Sequence, residues 1–132
     1  MKDYEIGELV GIPYSYTGKM PEEGFNCWEF LRYVQARYYN RRLPVAALDG
    51  SQDLLKLHIE CMDQGLYTMI HTDPIDGDCA LLRDGTRPHV GVWLENDHGG
   101  VLHCMEGVGV IWTRRSELLR YGYGRASYYR VK

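Results

Sequence analysis

The sequence predicts a single α+β domain, and three observations carry that reading. At 132 residues the chain has the length of one domain, and 45% apolar residues are enough to bury a core. Apolar residues recur at helical spacing in the first half, whereas after Pro74 they alternate. Helices first and antiparallel strands after them form an α+β order, with the helices packed on an antiparallel sheet. No repeat, low-complexity segment or long linker divides residues 1–132.

Taken in order, the opening stretch through GIPYSYTGKMPEEG is rich in Gly, Pro and Tyr and reads as loop. A helix starts near Asn26, whose side chain can cap free backbone N–H groups. It continues through CWEFLRYVQARYYN, where Phe30, Leu31, Val34 and Tyr38 share a face. RRLP ends it, because the residue before Pro44 is disfavoured in the helical region. Ser51 caps a second helix, QDLLKLHIECMDQ, which Gly65 closes. GDCALLR, PHVGVWLE, GVLHCMEG and VGVIWT then read as strands joined by turns such as DG and NDHGG. A capped turn, SELLRYG, precedes a last strand, ASYYRV.

Composition narrows the function. A net charge of -3 and a pI near 5.9 argue against a dedicated nucleic-acid binder. The pairs Arg41-Arg42 and Arg114-Arg115 are short enough to be solvated. No apolar run reaches the length that spans a bilayer, and MKDYEIGE is not a signal peptide, so no membrane insertion or general secretion is expected. Cys27, Cys61, Cys79 and Cys104 show no paired C-x-x-C spacing and are expected as free thiols. Eleven tyrosines and three tryptophans suit carbohydrate or peptide ligands, or simply sheet and core packing.

Cys27 follows the expected helix cap, where exposed N–H groups and the helix dipole favour a thiolate. That position alone fits either a nucleophile or a small core residue. Cys61, Cys79 and Cys104 lie within helix or strand patterns and are expected in the core. A thiol nucleophile needs a base and oxyanion donors. Of five histidines, His58 and His71 suit packing or surface roles, and His98 falls in the NDHGG turn. His89 and His103 lie on strands that a hairpin through NDHGG would pair, letting His103 orient the His89 ring through its second nitrogen. A zinc set of His89, His103 and Cys104 is disfavoured, because adjacent strand residues point to opposite faces and no short-spaced ligand pair is present. No metal or other cofactor is expected.

The series GIPYSYTG, GFNCWEFLRYV, GDCALLR, PHVGVWLE and GVLHCMEG resembles the NlpC-type cell-wall cysteine peptidases over almost the whole chain. The resemblance implies a compact papain-like fold. It implies Cys27 as nucleophile, His89 as general base and His103 as the polar residue orienting that base. Tyr14 matches a tyrosine that helps shape the oxyanion site together with the Cys27 N–H. The implied substrate is a peptidoglycan stem peptide, commonly cut between D-glutamate and diaminopimelate or lysine. Tyr16 and Trp28, beside site residues, are expected as cleft walls. CWEFLRYV…RRLP and the final YYRV are similar to the version found in phage tail-assembly proteins, which implies tail partners and delivery by a virion after synthesis in the bacterial cytoplasm. Three departures stand out: Asn26 where the family has Asp, Glu29 where it has Gly, and one glycine in YTGK where many members have two.

Overall fold

The computed structural model describes residues 1–45, 54–83 and 88–132. The Ser51 cap and the Asp84-Gly85 turn lie outside the described residues. Helix α1 (Asp3–Leu9) leads into a two-stranded ribbon of β1 (Lys19–Met20) and β2 (Gly24–Phe25). Helix α2 (Cys27–Tyr39) and helix α3 (Leu54–Asp63) precede the strands β3 (Tyr67–Ile70), β4 (Cys79–Arg83), β5 (Pro88–Leu94), β6 (Gly100–Met105), β7 (Gly109–Arg114) and β8 (Arg125–Val131). These six form one sheet in the order β3-β8-β4-β5-β6-β7, antiparallel throughout. The sequence-derived α+β architecture is the one observed.

Helix α2 lies against β5 and β6. Its apolar face of Phe30, Leu31 and Val34 meets Val92, Leu94 and Leu102 in one core, and Phe25 and Trp28 close the end near the helix start. A smaller core on the opposite face joins Ala80, Leu82, Trp93, Val101 and Tyr128 to Leu118 of the 3-10 turn at Arg115–Tyr121. Asn26 caps α2 as expected, its Oδ1 accepting from the Glu29 N–H at 2.8 Å.

Three local expectations change. The opening stretch contains α1, whose Asp3 and Glu5 suit the positive end of a helix, and its Pro-Tyr-Ser segment is tied to β2 rather than loose. Strand β3 lies before Pro74; it was hidden because it is short and its residues do not alternate cleanly between buried and exposed. Helix α2 ends where its expected run ends, at Asn40, but the terminator is Asn40 itself rather than Pro44: it adopts the left-handed conformation (φ 53°) that Asn tolerates and that ends helices. Among the described residues, no helix is long and apolar enough to cross a membrane.

Candidate active site

The start of α2 is fixed by a backbone lattice. Ser15 N–H donates to Phe25 O at 2.9 Å and Phe25 N–H to Pro13 O at 3.1 Å, which lays the Tyr14 segment beside the two residues preceding Cys27. Gly24 permits the approach: its φ is +89°, and a Cβ there would stand 2.5 Å from Pro13 O. Asn26 adds a link that an Asp at this position would lack, because its Nδ2 donates to Tyr16 O at 2.8 Å while Oδ1 caps the helix. The first departure therefore tightens this corner.

Cys27 is half-buried at the first position of α2. Burial pushes its thiol above the ordinary range, while the backbone N–H groups of Val90, Trp28 and Cys27 itself pull it back. Desolvation outweighs the helix-start N–H groups here, in keeping with the reading that this position alone does not make Cys27 a nucleophile. Val90, whose N–H meets the sulfur, is the residue next to His89.

His89 is half-buried, and its Nε2 lies 2.8 Å from Nδ1 of His103. The hairpin expected through NDHGG exists, with Val92 opposite Leu102 and Leu94 opposite Gly100. Gly91 makes room for the pair, since a Cβ there would stand 2.8 Å from the His103 Cβ. His103 is fully buried, and its Nε2 lies 2.9 Å from Thr113 Oγ1. Burial, then the His89 charge, lowers its pKa to about 3, so it is neutral. Tyr123 stacks on His89, with ring centroids 5.4 Å apart and planes 6° apart, and meets His103 edge-on. Cys104, adjacent to His103, donates its thiol to Phe25 O at 3.1 Å on the helix side of the sheet.

Tyr14 is half-buried, and burial followed by the neighbouring Cys27 raises its hydroxyl to about 12, which keeps it a donor. Tyr16 is exposed, meets Tyr14 edge-on at 5.5 Å, and donates its hydroxyl to Glu106 Oε1 at 2.7 Å. Trp28 is not a cleft wall. It is 3% exposed, and its indole N–H donates to Pro44 O at 2.8 Å, because the first-turn position after Cys27 turns into the core. Glu29 is also buried, and its carboxylate pairs with Arg32 at 2.9 Å within the helix. That pairing compensates a charge that would otherwise oppose a thiolate.

Thr113, Tyr123 and Glu106 were not anticipated. The β6–β7 register, set by the short turn between Met105 and Gly109, places Thr113 opposite Val101 and diagonal to His103, so hairpin counting could have found it. Tyr123 belongs to an irregular segment, and no periodicity points to it.

No protein-family model matches the chain, and no curated protein matches its sequence. Among solved structures, it is similar to the NlpC/p60 domain of the peptidoglycan hydrolase SagA, with a TM-score of 0.59 and 20% identity over 95% of this chain and 92% of that one. The papain-like fold expected from the motifs is therefore the fold of this chain.

Proposed function

We propose that the chain is a cysteine hydrolase of amide bonds that cuts peptidoglycan stem peptides. The observation that carries this reading is the 2.8 Å bond from His89 Nε2 to His103 Nδ1, on the strand whose next residue directs its N–H at the Cys27 sulfur. The likeness to a peptidoglycan hydrolase domain supports the substrate class.

In the proposed cycle, His89 Nδ1 takes the thiol proton, since Nε2 is engaged by His103. The thiolate attacks the scissile carbonyl carbon, and the oxyanion is held by the Tyr14 hydroxyl and the Cys27 N–H. The C–N bond breaks as the His89 imidazolium returns its proton to the leaving amine, giving a thioester. His89 then deprotonates water, which attacks the thioester and releases the acid and the Cys27 thiol. Tyr16 forms the exposed wall of the cleft.

Delivery by a phage or prophage tail is the finer part of the proposal. Its support is the sequence resemblance of CWEFLRYV…RRLP and the final YYRV to phage tail-assembly proteins. Incubating purified protein with peptidoglycan and weighing the released fragments tests the whole reading. New amine and carboxyl termini mean hydrolysis. A mass addition means acyl transfer, and unchanged material means a structural tail component with a vestigial site.

A further inference from the structure

The hydrogen-bond chain behind the candidate base does not end at His103. His103 and Thr113 are both 0% exposed, and they meet at 2.9 Å through Nε2 and Oγ1. We propose that Thr113 is a positioning residue that holds His103 in its Nε2–H tautomer and, through it, sets which nitrogen of His89 can accept a proton. The assignment rests on the hydrolase reading above, in which His89 accepts the thiol proton at Nδ1; the tautomer is nevertheless read directly, without an activity assay.

A neutral imidazole has one donor and one acceptor nitrogen. If His89 is to accept the thiol proton at Nδ1, its own proton sits on Nε2 and is donated to His103 Nδ1. His103 Nδ1 is then an acceptor, and the His103 proton must sit on Nε2. That buried N–H needs an acceptor, and Thr113 Oγ1 is the atom at hydrogen-bond distance. The same direction holds after proton transfer, when His89 carries protons on both nitrogens and still donates from Nε2. Thr113 therefore accepts from His103 in both protonation states of His89.

A valine at this position keeps the shape but removes the acceptor. The His103 proton then moves to Nδ1, where it is donated back to His89 Nε2. This reverses the pair and leaves the His89 proton on Nδ1, where it blocks acceptance from a thiol. Nothing in this argument requires a proton to travel to Thr113; the hydroxyl fixes a direction.

The test uses protein labelled with ¹⁵N-histidine, two-bond ¹H–¹⁵N correlation near neutral pH, and the iodoacetamide alkylation rate of Cys27. The wild type is expected to show His103 protonated at Nε2. T113V is expected to shift that proton to Nδ1 and slow Cys27 alkylation roughly 10- to 100-fold. T113S, which keeps the oxygen, is expected to preserve both. A wild-type spectrum with the His103 proton on Nδ1 overturns the proposal whether or not T113V folds. An unchanged tautomer and alkylation rate in folded T113V also overturns it. Wild-type protein that leaves peptidoglycan uncut, while T113V still reverses the tautomer, would remove the hydrolase reading and support the positioning role.

Discussion

Two neighbourhoods in this molecule bring thiols and imidazoles into the same region, and only one has the openness of an active site. His58 and Cys61 stand three residues apart on α3, 5% and 0% exposed. Tyr67 hydrogen-bonds His58 Nδ1 through its hydroxyl, and Tyr129 packs edge-on against the same ring at 4.3 Å. Burial raises the Cys61 thiol to about 11 and lowers the His58 pKa. His89 and Cys27 are 62 positions apart in the chain, yet both are half-buried, and His89 is backed by His103 and stacked by Tyr123. Closeness in sequence therefore counts for little. What separates the two regions is exposure of the reacting groups, since each imidazole has a buried polar partner.

The largest effect should come from removing the sulfur. Cys27→Ala is expected to lower peptidoglycan hydrolysis roughly ten-thousand-fold or more, with thermal stability almost unchanged. Cys61→Ala should leave hydrolysis intact and lower stability, as measured by thermal unfolding. Equal activity losses in the two variants would erase the distinction between the regions. His89→Ala should cost roughly 100- to 10,000-fold in kcat/KM, the usual range for a general base.

Acid pH should act next. Both His58 and His103 are held neutral, with folded pKa values lowered from 6.5, that of His103 to about 3. In the unfolded chain each binds a proton below about 6.5, so stability is full above that pH and falls as pH drops toward 3. For His103 the loss is on the order of 4–5 kcal/mol across that interval. Denaturant unfolding at pH 7, 5 and 4 checks the slope; a stability independent of pH below 6.5 would contradict the burial of these rings.

Smaller effects sharpen the contrast. Tyr67→Phe removes the partner of a buried imidazole nitrogen and should cost about 1–3 kcal/mol of stability with kcat/KM unchanged. Tyr123→Ala should do the reverse in kind, lowering kcat/KM about 2- to 10-fold through loss of a stack worth about 0.5–1.5 kcal/mol, while Tyr123→Phe keeps the rate. Chemical denaturation and steady-state assays on both variants separate the two.

How much of this was legible in the sequence follows from which interactions are local. The Asn26 cap, the inward face of α2 and the strands around NDHGG depend on near neighbours and on simple periods, and the structure has them. The His89–His103 juxtaposition followed from the hairpin. The end of α2 at Asn40 was placed correctly but credited to Pro44, because a left-handed residue competes with proline as a terminator and nothing in the spacing ranks them. Trp28 was misplaced because its neighbour was a site residue, whereas helical geometry turns successive side chains by about 100°. The raised Cys27 thiol depends on burial by the whole fold and has no local signal.

The account stands on a half-buried thiol that ionises with help from the imidazole chain. The most direct measurement is the iodoacetamide alkylation rate of each cysteine at neutral pH, resolved by peptide mass spectrometry in wild type and His89→Ala. The account predicts that Cys27 reacts faster than Cys61, Cys79 and Cys104 in the wild type and loses that advantage in the variant. Four similar rates, or a Cys27 rate indifferent to His89, would contradict it.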